Sequence, residues 1–475
     1  MEITGKKVLF ARICGTGVSS IALICKSQGA EIIGVDLAHY PPVSTKLEEE
    51  NIPCYGMDRF YDLVKNENPD FIVVGNALSG KSDIAEFIVT SGIPYYSMPS
   101  FIEKFLLPEK KSVVISGTHG KTTTTTMFSE VLTVIGMEPS YIVGGIPNFS
   151  GTNAYFKPGK GYFVIEGDEY DTAFFDKEPK FFHYKPNVTI VTSIEFDHAD
   201  IYDSIDRIFD NFKRLADITA EKVILCSDFK YNKKLALKIL GKKLFTYSIE
   251  DKSANAYAIE KGRDSNNNMI FSVFFKDGGE FEFSTPFFGK QNLMNLCALI
   301  SFLKIEGVDL ENSTVKKAVK GMKGIKRRQE FLGKVNRGLL YSDFAHHPTA
   351  ANLTFQSFRE FFPQKRVFLI FDLATNSNNQ NIFEDQYIDI FKKADKVVIG
   401  HPSKLKKFPP ELRFSIKRVI QSINSSAGVE KAFYFKNIED TINWLKLNSS
   451  DDTVTVVMSN SEFYDFFIKV KSILK

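Results

Sequence analysis

Gly117-Thr118-His119-Gly120-Lys121-Thr122-Thr123-Thr124-Thr125-Thr126-Met127 is the stretch that decides how this chain is read. A short β-rich run at 113–116 precedes it, and helical periodicity extends over 121–135. A strand that feeds a glycine loop and then a helix has the order of a phosphate-binding loop. The glycines let backbone N–H groups approach phosphate oxygens, and the helix N-terminus adds its positive dipole. Lys121 supplies a cation for β- and γ-phosphates, and the Thr122 hydroxyl suits Mg²⁺. The longer form of this motif has glycine where this chain has Ile115. The loop is therefore a shortened form, and by itself it predicts only nucleotide binding.

Toward the N-terminus, apolar runs at 8–13, 31–35 and 71–74 alternate with a helical stretch at 19–27. That alternation predicts a parallel sheet with crossover helices. Gly15-Thr16-Gly17-Val18-Ser19-Ser20 lies between the first strand and its helix, and Asp36 ends the next strand. The pattern suits a dinucleotide fold, but Ser20 stands in place of the third glycine of G-x-G-x-x-G, which weakens a nicotinamide reading. The same geometry accepts any diphosphate. A purely structural tight turn is the alternative. Pro108-Glu109-Lys110-Lys111 reads as a linker.

Toward the C-terminus, further strands are expected at 162–165, 188–192 and 223–226. Glu166 and the pair Asp197-His198 sit just beyond two of them, where strand ends of an α/β sheet converge on a nucleotide crevice. Alone, Glu166, Asp168, Glu169 and Asp171 would read as an exposed acidic turn. Turn residues at 264–268 and 277–279 predict short antiparallel strands over 254–284, and 291–303 has helical spacing. A third unit opens near Arg327 with a hairpin at Asn336-Arg337-Gly338, then strands at 367–371, 396–399 and 453–458. The fold expected is α/β with three domains: a Rossmann-like domain (1–108), a P-loop ATPase-like domain with a mostly parallel sheet (109–326) and a Rossmann-like domain (327–475).

The run GTHGKTTTTTM resembles the ATP loop of the Mur ligases, which join amino acids or peptides to UDP-N-acetylmuramic acid. Tyr40-Pro41-Pro42-Val43-Ser44-Thr45, the run EGDEYDTAFFDKEPKFFHY at 166–184 and EFDHADI at 195–201 are similar to the member that attaches the tripeptide L-Ala-γ-D-Glu-diaminopimelate. The sister that adds L-alanine shares the loop but usually lacks these words. The resemblance implies ATP and Mg²⁺ as cofactors. It gives Gly117, Thr118, His119, Gly120, Lys121, Thr122 and Thr123 to the ATP phosphates, and Thr122, Glu166 and His198 to the metal. Gly15, Thr16, Gly17, Ser19 and Asp36, with Asn76 and Ser79, would hold UDP-N-acetylmuramate.

Gly289-Lys290-Gln291-Asn292-Leu293-Met294-Asn295 resembles the family's adenine-binding helix start, with Asn292 and Asn295 one turn apart. An N-cap role for one Asn is the plainer reading. Asp343, in Asp343-Phe344-Ala345-His346-His347-Pro348, would accept from the ATP ribose, with His346 and His347 near the incoming amine. Arg327, paired with Arg328, would meet the phosphates on domain closure. Two departures fall on the acceptor side: Ala374 where the family has Arg, and Ser461-Glu462 where it has two glycines, while Asn376 is retained. A lost Arg removes a bidentate carboxylate partner. Expected partners are UDP-N-acetylmuramate and a short cell-wall peptide, in a cytoplasmic monomer or weak homo-oligomer of peptidoglycan recycling. The alternatives are an L-alanine ligase of peptidoglycan synthesis and a nucleotide-binding derivative without acceptor chemistry.

Bulk properties agree. The 475 residues exceed one hydrophobic core, and a net charge of +3 from 60 basic and 57 acidic side chains points to neither nucleic acid nor membrane. No apolar run reaches the roughly 18 residues of a membrane span. Five scattered cysteines without C-x-x-C spacing argue against disulfides or a zinc site.

Overall fold

The computed structural model describes residues 3–39, 43–196, 204–402, 404–461, 463 and 465–474. They form α/β structure around three main sheets. The first has five parallel strands in the spatial order Cys54–Gly56, Glu31–Asp36, Lys7–Ala11, Phe71–Val74, Tyr95–Ser97. Its central strand, Val8-Leu9-Phe10-Ala11, is buried on both faces, as a continuous apolar run in a parallel sheet must be. The strand order reverses between Lys7–Ala11 and Phe71–Val74. A crevice for a ligand opens at such a switch point, outside the carboxyl ends of the strands.

The second sheet has ten strands with Lys110–Ser116 inside it, flanked by Gly161–Gly167 and Val188–Val191. Lys110 already pairs with Gly161, so the expected linker is partly strand. Lys111 is held there by Glu306 at 2.9 Å and Glu221 at 2.7 Å. At the other end the register sets Ser116 beside Gly167 and Val191. The strand ends on which Glu166 and the glycine loop sit therefore meet. The antiparallel strands expected at 254–284 are Ala256–Arg263, Met269–Phe275 and Glu280–Thr285, added to the sheet's edge.

The helix Lys121–Val134 contains six threonines, which are poor helix formers. Tertiary burial overrides that preference. Thr124 to Leu132 are all buried, and the Thr125 and Thr126 hydroxyls donate to the carbonyls of Lys121 and Thr122.

The third sheet has six strands and is parallel apart from its leading hairpin, Glu330–Val335 with Gly338–Asp343. Asn336 (φ 44°) and Arg337 (φ 71°) form a two-residue turn with both residues left-handed, the geometry that matches strand twist.

The chain divides into two compact units: Met1–Pro286 with Leu293–Gly324, which holds the first two sheets, and Phe287–Asn292 with Ile325–Lys475. Phe288 explains the crossing segment, since its ring stacks on Phe361 at 4.0 Å in the second unit. Among the described residues no helix is long and apolar enough to cross a membrane.

Candidate functional site

Both loop glycines are required by geometry. Gly117 has φ 139°, and a Cβ there would lie 2.1 Å from Thr192 Oγ1 and 2.8 Å from Ser193 N. Gly120 has φ 83° and precedes the helix. The loop is tied to the end of the neighbouring strand: Thr118 N–H donates to Ser193 O (2.8 Å) and His119 N–H to Ser193 Oγ (3.0 Å). His119 Nε2 lies 3.0 Å from Glu195 Oε2. Those two amides are thus committed within the protein. The anion-facing groups that remain are the first-turn N–H groups of Lys121, Thr122 and Thr123.

Lys121 is enclosed. Its Nζ donates to Gly117 O (2.6 Å) and lies 3.2 Å from Glu169 Oε2. Burial works to discharge the ammonium, but Glu169, Asp168 and Glu166 outweigh it and raise the Lys121 pKa. The cation is therefore present at neutral pH. Glu169 is 3% exposed, which overturns the exposed-turn reading of this acidic run. It is also a candidate site residue that the motif reading did not single out. Only its adjacency to Glu166 in sequence hinted at it.

Glu166 is brought to the helix start. Its Oε2 accepts from Thr122 Oγ1 (3.0 Å), and its Oε1 accepts from Gly144 N–H. A Cβ at Gly144 would sit 3.0 Å from both carboxylate oxygens, so the glycine makes room for the carboxylate. Burial, and then the charge of Asp168, push the Glu166 pKa up. A carboxylate held under that strain gains from a cation. The two hard oxygens of Thr122 and Glu166 fit Mg²⁺, which favours such donors beside substrate phosphates. Asp197 and His198 lie outside the described residues.

The other crevice lies in the first sheet. A Cβ at Gly17 would lie 2.5 Å from Met98 Sδ, so the flexible end of that side chain would have to shift, and Gly15 has an ordinary φ of −69°. The Ser19 hydroxyl donates to Thr16 O (3.0 Å), so it serves its own helix start. Asp36 is 5% exposed, accepts from Cys14 N–H (2.8 Å) and Leu37 N–H (2.7 Å), and forms an ion pair with Arg12, whose Nη1 lies 2.8 Å from Oδ1. Its carboxylate thus shapes the loop from within. Asn76 and Ser79 are exposed past the next strand, and Asn76 Nδ2 donates to Asp171 Oδ1 (3.3 Å). Asn153, just before the second sheet's strand Ala154–Tyr155, donates to Ser20 Oγ (2.8 Å) on the helix Thr16–Ser27 that follows the glycine loop.

In the first unit, Asn295 is 3% exposed and its Nδ2 has no hydrogen-bond partner among the described residues. A buried amide donor so placed fits a base acceptor such as an adenine ring nitrogen.

In the second unit, Asn292 is already committed, with Nδ2 donating to Phe288 O (3.0 Å) and Gln329 Oε1 (2.9 Å). Asp343 is buried and accepts from Ala345 N–H, Gln329 N–H and Thr354 Oγ1. Burial raises its pKa, with Arg328 opposing. His346 Nδ1 lies 3.0 Å from Phe344 O, and His347, 9% exposed, meets the Phe383 ring edge-on at 4.9 Å. Asn376 is exposed. Arg327 donates to Ser459 O (2.7 Å) and to Ser461 O, and lies over the Phe467 ring at 4.8 Å. The Ser461 hydroxyl, at a position where glycine was expected, donates to Asp372 Oδ2 (2.5 Å), as Ser459 Oγ does (2.7 Å). Asp372 thus anchors both hydroxyls, and Glu462 lies outside the described residues.

Three stretches match family domains: residues 7–109 the Mur ligase family catalytic domain, 115–303 the Mur ligase middle domain, and 327–460 the Mur ligase glutamate ligase domain. The chain is 30% identical to the UDP-N-acetylmuramate–L-alanyl-γ-D-glutamyl-meso-2,6-diaminoheptandioate ligase of Haemophilus influenzae, over 99% of both chains. It is 28% identical to the UDP-N-acetylmuramate–L-alanine ligase of Fusobacterium nucleatum, over 94% of this chain and 93% of that one. The crystal structure of a murein peptide ligase from Psychrobacter arcticus superimposes with a TM-score of 0.70 at 28% identity, covering 99% of this chain and 98% of the other.

Proposed function

The chain belongs to the Mur ligase family, and from that premise we propose that it is an ATP-dependent, ADP-forming ligase joining UDP-N-acetylmuramate to L-alanyl-γ-D-glutamyl-meso-diaminopimelate. The observation that carries this reading is the end-to-end similarity to a tripeptide ligase, 99% of both chains, together with a phosphate loop that keeps its lysine. Residues 1–108 would take the sugar nucleotide, 109–326 ATP and 327–475 the peptide.

The muramate carboxylate attacks the γ-phosphorus of ATP, and ADP leaves. The peptide amine then attacks the resulting acyl phosphate, losing a proton, and inorganic phosphate departs. A free carboxylate is a poor acceptor for an amine, so phosphorylation supplies the leaving group. The chain's contribution is position and charge. Lys121, kept charged by Glu169, faces the β- and γ-phosphates, and the first-turn N–H groups of its helix receive their oxygens. Mg²⁺ held at Thr122 and Glu166 would neutralise charge between those phosphates. Asn295 offers its free amide to the base.

The rival reading is L-alanine as acceptor, favoured by the 28% identity to an L-alanine ligase over 94% of this chain. Phosphate release is measured with ATP, Mg²⁺ and UDP-N-acetylmuramate, adding the tripeptide or L-alanine. Release with the tripeptide is expected. Release with alanine alone would sink the proposal.

A further inference from the structure

The loops that follow the first two strands of the first sheet converge on three side chains that neither nucleotide site uses. Cys14, His39 and Cys54 each offer one ligand atom, and these atoms lie within 4.8 Å of one another. His39 Nε2 is 3.3 Å from Cys54 Sγ. Cys14 is 3% exposed, Cys54 is half-buried and His39 is exposed. Two thiols thus form the floor of a small site, with an imidazole at its mouth. Scattered cysteines without C-x-x-C spacing argue against zinc in the sequence. The parallel register closes the gap: Cys54 pairs with Gly34 on the strand that ends at Asp36, and the strand Lys7–Ala11 lies on that strand's other side.

We propose that Cys14, His39 and Cys54 form a Cys₂His site for a thiophilic divalent cation of the Zn²⁺ class. Around tetrahedral zinc, with Zn–S about 2.3 Å and Zn–N about 2.0–2.1 Å, neighbouring ligand atoms lie about 3.5–3.8 Å apart. The 3.3 Å separation of His39 and Cys54 is close to that, and with every ligand atom within 4.8 Å of the others, binding calls for at most about 1 Å of contraction. Soft thiolates and an imidazole select zinc over magnesium. Each thiol gives its proton to solvent on binding. Asp36 is not a fourth ligand, because Cys14 N–H, Leu37 N–H and Arg12 already hold its oxygens. It acts behind the site, fixing the Cys14 backbone. The fourth position, on the exposed His39 side, is left to water. An ion here would pin the Gly15–Gly17 loop to the loop after Asp36.

The test uses the reduced full-length chain titrated with Co²⁺, followed by Zn²⁺ displacement. One equivalent of cobalt should give a thiolate-to-metal charge-transfer band with the strong visible bands of a tetrahedral ion. Cobalt bound by the oxygens of Thr122 and Glu166 would give no thiolate band. Cys54→Ser and His39→Ala should each weaken affinity by at least about 100-fold, more than the loss of an outer-shell partner. Zn²⁺ should raise the melting temperature of the parent protein but not of His39→Ala. His39 is exposed, so that variant keeps the test decisive if Cys54→Ser fails to fold. Absence of the thiolate band in the parent protein, or an unchanged band and affinity in His39→Ala, overturns the proposal.

Discussion

In the proposed reaction Lys121 is the residue on which the chemistry turns. It is charged and enclosed because three carboxylates outweigh its burial, and it stands at the start of a helix whose first N–H groups are free for an anion. Lys121→Gln keeps the length and loses the charge. We expect phosphate release to fall by about 10²–10³-fold, the range for removing one electrostatic stabiliser, with UDP-N-acetylmuramate affinity unchanged by calorimetry. Equal loss of both would mean that the substitution disrupts the fold and not the step. At this scale the sequence was readable wherever a residue's reason is local. Gly117, Gly120, Lys121 and Thr122 follow from the motif. Glu169, Gly144 and Asn153 were not, because each acts through a partner 22 to 133 residues away. Asn292, Asp343 and Arg327 show the converse: a family word placed them, but their polar atoms are engaged within the second unit.

Among elements, the helix Lys121–Val134 links the phosphate loop to the segment that leads into the second unit. Glu130, 3% exposed on that helix, accepts from Lys323 N–H (2.8 Å) and Gly324 N–H (3.4 Å). Burial lifts its carboxyl from the ordinary 4.5 to about 7, against those two bonds. Between these values the folded chain keeps a proton that the unfolded chain has released. Its contribution to stability is therefore whole below the unfolded pKa and is lost as pH rises through the folded one. Glu130→Gln removes that dependence. It should match the parent near pH 5 and exceed it by up to about 3 kcal/mol at pH 8. Thermal unfolding at the two pH values checks this, and a pH-independent difference would contradict it. The long elements were legible from continuous apolar runs and from left-handed turn residues such as Asn336-Arg337. The strand start at Lys110 was not, since two lysines and a nearby proline look like a linker until Glu306 and Glu221 are seen to hold Lys111. Nor were the short strands Ser140–Ile142 and Ala154–Tyr155, which carry too few residues to show a period.

For the molecule as a whole, the proposed reaction activates a carboxylate bound at the first sheet with ATP at the second and captures it with a peptide amine. The most direct measurement is oxygen transfer. UDP-N-acetylmuramate labelled with ¹⁸O in its carboxylate is incubated with ATP, Mg²⁺ and the tripeptide, and the released phosphate and the product are weighed by mass spectrometry. An acyl phosphate intermediate requires one ¹⁸O in the phosphate and one in the new amide, formed only when the tripeptide is present. Unlabelled phosphate, or labelled phosphate that forms with L-alanine and not with the tripeptide, would contradict the account.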